Sequence, residues 1–417
     1  MAQQEMRYLV ERKRDGAALC ADDWNRIIAW YMRREIGEDQ MAALCMACVL
    51  RGMNFDETLA LTRALVESGE VLSFHDAQVM DKHSTGGVGD TTSLLVVPIV
   101  AACGVAVAKL AGRALGHTGG TIDKLETVDG LRTDLSPKEF CRQVEGVGCA
   151  IAAQSESLVP ADKRLYALRD RTGTVPSPGL IAASIVSKKI AGGAKVIVFD
   201  VKVGGGAFIR DVAVGQQLAG LLVELTERFG RRSIAIVSNM DEPLGPSIGT
   251  GLEIIEARDF LSGASRDARL EQLSLHLVAQ MLRLGGKEAS EITGFRALES
   301  GAAYATFIAM IEAQGSSRGA LESMRAAPQR REVRSTSAGY VAAIGAEQLG
   351  DVARGLYSRD RMAGLRAHVR VGDAVEVGSL LLTVYGAADM ARVGDAFVIE
   401  RQAPLLEPLV YAAVAPR

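Results

Sequence analysis

This chain of 417 residues has little that would suit it to a nucleic acid or a bilayer. It has no basic tail, no aromatic–basic interleaving and no zinc-finger spacing, and its net charge of -3 would not help it bind a polyanion. Long apolar runs are also missing. The longest, near Leu94 to Val107, is broken by Pro98 and Gly104, and the opening stretch MAQQEMRYLVERKRD lacks the apolar core of a signal peptide. A cytoplasmic protein with no membrane partner is therefore expected. Cysteine is sparse, six residues, and Cys45 and Cys48 fall in QMAALCMACVLRGM, a continuously apolar helical pattern with no second pair at zinc spacing. Two helix-buried thiols are expected there, rather than a metal or redox site. Cys20, Cys103, Cys141 and Cys149 read as small core residues, and disulfides are not expected. No lysine follows Lys287, which removes the usual attachment point for a lipoyl or biotinyl group.

What the chain does have is glycine beside cations and hydroxyls. Asp81 to Asp90, DKHSTGGVGD, packs Lys82, His83, Ser84, Thr85 and three glycines into ten residues. Glycine lets backbone N–H groups turn toward an oxyanion, with Lys82 supplying charge and Ser84 a donor. Thr91, Thr92 and Ser93 then open an apolar run, so the loop is expected to lead into a helix whose N-terminal dipole adds to the attraction. A second cluster, KLAGRALGHTGGTIDKLE from Lys109 to Glu126, carries Arg113, His117, Thr118 and Thr121. Neither is a G-x-x-x-x-G-K-[ST] loop or a G-x-G-x-x-G fingerprint, which removes the main support for ATP or NAD. Phosphate is the expected ligand.

These two loops, together with RLYALRDRTGTVPSPGLIAASIVSKKIAGGAKVIVFDVKVGGGAF, closely resemble the thymidine and pyrimidine-nucleoside phosphorylases. The matches run from Tyr8 to about Gly251. The resemblance implies a homodimer of subunits with an all-α and an α/β domain, cleaving a pyrimidine nucleoside with inorganic phosphate. It leans toward thymidine and deoxyuridine, giving thymine or uracil and 2-deoxy-α-D-ribose 1-phosphate; a broad enzyme that also takes uridine is the alternative. No organic cofactor is implied, because phosphate is the second substrate. Two rivals stay open: a phosphoribosyltransferase of related fold, disfavoured because it normally displays an Asp-Glu pair for magnesium pyrophosphate, and a non-catalytic anion-binding protein.

The length predicts more than one domain, and 48% hydrophobic with 23% charged residues is ordinary for a soluble protein. Helical patterns cover Cys20 to Arg34, Asp39 to Arg51 and Asn54 to Ser68, with capping-box spacing at Asn54 and Glu57. Strands are expected in AKVIVFDVKV and RRSIAIVSNMD. The expected organisation is a discontinuous helical domain, 1–69 and 161–191, a large mixed-sheet α/β domain, 70–160 and 192–332, and a small β-rich C-terminal α+β subdomain, 333–417. Hinges are expected around Glu70 to Phe74, Leu158 to Asp162 and Ala191 to Ala194.

Residue by residue, the resemblance places phosphate on Lys82, Ser84, Ser93, Lys109 and Thr121, and the base on Arg169, Ser184 and Lys188. Ser184 and Lys188 are four apart and so share one helical face. The alternative is a solvated face at Lys188 and Lys189, with Arg169 paired to Asp170 or Asp162. His83 is assigned as donor or general acid to the departing base, and Arg169 and Lys188 stabilise its charge. Leu115, Val175, Ile181 and Phe208 would form an apolar pocket for a base methyl, and Gly89, Thr91, Leu244, Ser247 and Glu256 would hold a potassium ion. One departure stands out: the family commonly has serine where this chain has Ala111, which predicts a high phosphate KM. The N-terminal helices are the expected dimer surface, and Arg359, Asp360 and Arg361 are expected to form a salt-bridged surface.

Overall fold

The computed structural model describes residues 1–75, 78–113, 119–287 and 290–416. The chain opens with α1 (Ala2–Arg14), α2 (Ala21–Met32), α3 (Glu38–Arg51) and α4 (Phe55–Glu67). It continues through β1 (Met80–Ser84), α5 (Thr92–Ala102), β2 (Val107–Ala111), α6 (Thr121–Leu125), α7 (Pro137–Val147) and β3 (Cys149–Ala153). Two helices follow, α8 (Pro160–Thr172) and α9 (Pro178–Ala191), then β4 (Val196–Val203), α10 (Val212–Arg228) and β5 (Arg232–Asn239). After the short β6 (Ser247–Ile248) come α11 (Thr250–Ser262), α12 (Ala268–Leu284), α13 (Glu291–Glu299), α14 (Ala302–Ala313) and α15 (Arg318–Ser323). The remainder is β7 (Arg330–Arg334), β8 (Gly339–Ile344), α16 (Ala346–Tyr357), β9 (Gly364–Ala367), β10 (Ala374–Val375), β11 (Leu380–Tyr385), α17 (Met390–Gly394), β12 (Phe397–Glu400) and β13 (Val410–Val414).

The helical unit is discontinuous. Trp24, Ile27, Leu44, Leu61 and Leu65 from the first four helices share one core with Leu165 and Leu168 of α8 and Leu180 of α9. The expected capping box on α4 is present, with Asn54 Oδ1 accepting from Glu57 N at 2.8 Å. α1 was not anticipated from the sequence. It buries Met6 and Leu9 and also Lys13, whose Nζ lies 2.6 and 2.7 Å from the two carboxylate oxygens of Glu57. Cys45 and Cys48 are buried, and burial pushes their thiols up to about 11 and about 12. Cys20 departs from the expectation of a core residue: it is exposed, at the N-cap of α2. Cys103 and Cys141 are only partly buried.

The main sheet has the order β13-β5-β4-β1-β2-β3, parallel throughout except for β13. β4 is buried along its whole length, as its run of β-branched residues predicts. Successive strands step from β1 one way to β2 and β3, and the later β4 and β5 lie on its other side. The strand order therefore reverses between β1 and β4, and in open α/β sheets ligands bind outside the carboxyl ends of strands at such a point. α5, α11, α12 and α14 cover one face in a large apolar core, and α9 and α10 cover the other.

The segment 333–417 is not self-contained. Its strands form a three-stranded sheet, β10-β8-β12, and a four-stranded one, β6-β9-β11-β7, but the latter recruits β6 from the α/β part and β7 begins at Arg330. β13 leaves to pair antiparallel with β5. Pairing with an otherwise open edge of the main sheet satisfies backbone groups that the small sheets cannot reach.

The three stretches read as hinges lie against one another. Glu70 N donates to Ser157 O at 2.9 Å and Leu72 N to Ala191 O at 2.8 Å. A Cβ on Gly193 would stand 2.5 Å from Leu72 O, so this crossing tolerates only glycine. Val159, at the start of α8, has φ 43, a left-handed conformation unusual for a β-branched residue.

Candidate active site

The glycine loop after β1 sits at the strand-order reversal and is braced from β4. Thr85 N donates to Asp200 O at 3.0 Å, Lys202 N to Thr85 Oγ1 at 2.8 Å and Val88 N to Gly206 O at 3.1 Å. α5 begins at Thr92, so the expected helix N-terminus is there. Side-chain alternation along β1 gives each residue its direction. Lys82, fully buried, turns toward α5, donating to Thr92 Oγ1 at 2.7 Å and lying 3.5 Å from Ser93 Oγ and 3.1 Å from Asp200 Oδ2. Ser84 donates to Asp90 Oδ2 at 2.6 Å and accepts from Gly86 N at 3.2 Å. Asp81 turns the other way, to Lys189 of α9 at 2.7 Å, and Lys189 also donates to Leu110 O at 2.8 Å. His83 is half-buried and meets Phe199 edge to face, ring centres 6.3 Å apart.

Beneath the loop runs a chain of buried charges that sequence reasoning did not single out. Lys202 lies 2.8 Å from Asp200 and 4.0 Å from Asp90, and Lys124 lies 2.6 Å from Glu253 while donating to Asp90 O at 2.7 Å. Although burial pushes the Asp90 carboxyl up, Lys202, Lys82 and Lys124 hold it well below the usual range. The alternation of Asp200 and Lys202 in FDVKV was the available signal: two charges on one face of a strand otherwise fit for a core.

The second glycine loop is anchored at its start, where Arg113 makes a two-pronged pair with Glu126 at 2.7 and 2.9 Å. Lys109 is buried on β2 and donates to Lys82 O at 2.6 Å. Thr121, half-buried, is the first residue of α6. Ala111 ends β2. Leu115 and His117 lie outside the described residues.

Arg169, Ser184 and Lys188 meet on the helical side. Lys188 Nζ donates to Ser184 Oγ at 2.6 Å and to Asp162. Burial lowers the Lys188 ammonium pKa, and Asp162 opposes that shift. Arg169 is buried and pairs with neither Asp170 nor Asp162. Its guanidinium donates to the carbonyls of Thr174, Val175 and Leu180 at 3.2, 2.7 and 3.1 Å. These bonds fix the turn between α8 and α9 and leave each Nη a second N–H. Lys189 is no solvated side chain either. Its bond to Asp81 ties α9 to the strand that carries Lys82 and His83. Of the apolar candidates, Val175 and Ile181 are half-buried on the helical side, whereas Phe208 is exposed on the turn after β4, in the α/β part.

His83 feels both sides of the cleft. Burial, with the ammonium groups of Lys189 and Lys188 on α9 and of Lys82 beside it, holds its pKa well below the ordinary value, so the imidazole is neutral at physiological pH. It can donate a hydrogen bond but carries no spare proton as an imidazolium.

Of the five residues read as a cation site, Glu256, Thr91, Ser247 and Gly89 come together, while the Leu244 carbonyl accepts from the Arg370 guanidinium at 2.9 Å. Glu256 Oε2 accepts from Thr91 Oγ1 at 2.5 Å and its Oε1 from Ser247 N at 2.9 Å, while Gly245 N donates to Gly89 O at 3.0 Å and Leu244 N to Val88 O at 3.1 Å. Burial raises Glu256 to about 7, with Glu253 adding to the shift. A buried carboxyl among hydroxyl and carbonyl oxygens fits a monovalent cation. Arg359, Asp360 and Arg361 form no salt-bridged patch among the described residues; Arg361 instead donates to Glu126 O at 3.0 Å, behind the second loop. A surface hollow of about 520 Å³ lined by Val79, Val105, Ala106 and Val144 opens at the opposite, amino end of the strands. No helix among the described residues is long and apolar enough to cross a membrane.

Residues 7–69 match the helical bundle domain of the glycosyl transferase family, and residues 76–304 match its a/b domain. A pyrimidine-nucleoside phosphorylase of Geobacillus stearothermophilus is 44% identical over 395 residues, covering 90% of this chain and 91% of its own. One from Staphylococcus aureus is 41% identical over the same length and shares. The crystal structure of an anthranilate phosphoribosyltransferase from Thermus thermophilus superposes with a TM-score of 0.60 at 20% identity, over 73% of this chain and 98% of the other, which is a likeness of fold. With both domains in order and such identity along nine-tenths of its length, the chain belongs to the pyrimidine-nucleoside phosphorylase family of glycosyl transferases and is a pentosyltransferase.

Proposed function

We propose that this enzyme catalyses the reversible phosphorolysis of pyrimidine nucleosides, transferring the pentose from the base to inorganic phosphate. The observation that carries the reading is the Lys189–Asp81 pair at 2.7 Å, which joins the helix bearing Ser184 and Lys188 to the strand bearing Lys82, His83 and Ser84. Groups suited to a planar carbonyl-rich base and groups suited to an oxyanion are thereby held around one cleft.

In this reading phosphate is held by Lys82, Ser84, Ser93, Lys109 and Thr121 and attacks C1' as the bond to N1 of the base breaks. The free N–H groups of Arg169, with Ser184 and Lys188, receive the negative charge that gathers on the base. His83, neutral, donates a hydrogen bond to a base oxygen and is not a source of an acid proton. Potassium would be held by Glu256, Thr91, Ser247 and the carbonyl of Gly89, where its charge would keep Glu256 ionised beside the loop. Movement of the two parts about the three crossings excludes water and so favours phosphorolysis over hydrolysis. A homodimer through the N-terminal helices completes the proposal.

On breadth, the relatives at 44% and 41% identity carry the pyrimidine-nucleoside name, which favours an enzyme that takes uridine as well as thymidine and deoxyuridine. The test is phosphate-dependent release of thymine from thymidine and uracil from uridine, each with a phosphate-free control. Comparable rates on both support the broad enzyme. Activity on thymidine alone returns the reading to a thymidine phosphorylase, and no phosphate-dependent release from either overturns phosphorolysis.

A further inference from the structure

Several cationic side chains crowd the carboxyl ends of β1 and β2 and the end of α9, and all but one have an acidic partner. Lys82 has Asp200 at 3.1 Å, Lys189 has Asp81 at 2.7 Å, and Lys188 has Asp162. Lys109 is the exception. Its side chain is 3% exposed and its Nζ donates to a backbone carbonyl, Lys82 O. Among the described residues no carboxylate oxygen stands within 4.0 Å of it, and the neighbouring stretch 114–118 contains no Asp or Glu.

The charges around Lys109 do not favour a second positive charge. β1 offers Asp81, already paired, with Lys82 and His83; the loop before α5 offers Asp90, already between Lys202 and Ser84; and α9 brings Lys189 and Lys188. β3 carries only the buried thiol of Cys149, and α5 has no charged residue. On α7, Lys138, Arg142 and Glu145 are exposed and Glu139 caps its own helix, while Lys124 of α6 is taken by Glu253. An amine withdrawn from water, facing two nearby ammonium groups and lacking a counter-ion of its own, is more stable without its proton. Burial and then Lys189 accordingly depress it well below the lysine range.

Resting on the phosphate reading above, we propose that Lys109 is a neutral amine in the ligand-free protein and becomes an ammonium as an oxyanion binds. When the anion arrives as a dianion, HPO4 2− or sulfate, the proton comes from solvent. When it arrives as dihydrogen phosphate, one of its O–H bonds breaks as the new N–H bond forms, leaving HPO4 2− against the ammonium with total charge unchanged. In both cases the nucleophile is held as a dianion, and Lys109 is a proton acceptor as well as an anchor.

Sulfate is the probe, because it has no proton of its own to exchange near neutral pH. Calorimetric titration of the full chain with sulfate at pH 8, in two buffers of different ionisation enthalpy, counts the protons taken up. The expected count is close to one per sulfate, with affinity falling by up to tenfold per pH unit as pH rises. Lys109→Arg, whose guanidinium stays charged, is expected to take up none, as is Lys109→Met at higher sulfate. Sulfate binding by the wild type with no proton uptake overturns the proposal while leaving the anion site standing. Uptake that persists in both variants overturns the assignment to Lys109. Failure of the wild type to bind sulfate overturns the oxyanion site itself, and the proposal with it.

Discussion

On β1 four consecutive polar residues alternate between the two faces of the sheet, with Asp81 and His83 toward α9, and Lys82 and Ser84 toward the loop before α5. On the proposed reading, this alternation puts the histidine on the side of the base and the lysine on the side of the phosphate. Because the folded pKa of His83 lies below its unfolded value of about 6.5, its contribution to stability is fully present above that pH and lost as pH falls through the folded value. For catalysis the expectation is that His83→Asn, which keeps an N–H donor, retains more turnover than His83→Ala, which loses about 10²-fold. A wild-type rate that climbs on acidification with an apparent pKa at or above 6.5, a climb abolished in His83→Asn, would show instead that imidazolium is the working form. At the end of β2, Ala111→Ser restores a hydroxyl at the edge of the second loop. A charged-ligand hydrogen bond is worth about 1.5–3 kcal/mol, so phosphate KM should fall by about tenfold or more with kcat little changed. An unaltered KM in steady-state kinetics would mean that the backbone already serves the ligand there.

Among the elements, α1 depends most visibly on a distant partner. Lys13 and Glu57 are both buried, 2.6 Å apart, and Glu57 also accepts from Leu19 N at 3.0 Å. Glu57→Gln leaves the Lys13 ammonium buried without its counter-charge and should cost about 3–5 kcal/mol in urea denaturation. A loss below about 1 kcal/mol would mean that the ammonium finds water. The same residue marks what was legible beforehand. Glu57 in its capping box with Asn54 is a contact across three residues, readable from spacing; Glu57 with Lys13 spans 44 positions and could not be read that way. The strands β4 and β5 were legible because β-branched runs suit a buried parallel sheet. Ser184 and Lys188 were legible because helical period puts them one turn apart, and they hydrogen-bond. The partners of Arg169 and Lys189 were not. They are carbonyls of a turn and a carboxylate on another element, and a sequence carries no local trace of either.

At the scale of the whole molecule, the helical unit is assembled from the first four helices and from α8 and α9, and the three crossings between the parts run side by side. The surface of that unit leaves Leu50 74% and Tyr8 60% exposed on α3 and α1, and Met46, one turn before Leu50 on α3, is exposed as well. Such a surface favours self-association. Sedimentation is expected to give twice the 44.2 kDa chain mass, and Leu50→Asp to give the single chain. A wild-type chain that sediments alone would remove the proposed homodimer. β13, finally, has a consequence for how the protein is made. Its residues Val410 to Val414 cover the edge of β5 opposite Ser238 to Ala235. At translation rates of about 5–20 residues per second, the roughly 170 residues between them leave β5 uncovered for about ten to thirty seconds. Through that interval the growing polypeptide carries an open row of amide and carbonyl groups on an otherwise finished sheet, a template for pairing with another nascent chain on the same messenger. Losing the last few residues would make that interval permanent, so a C-terminal truncation should be seen first as aggregation during synthesis.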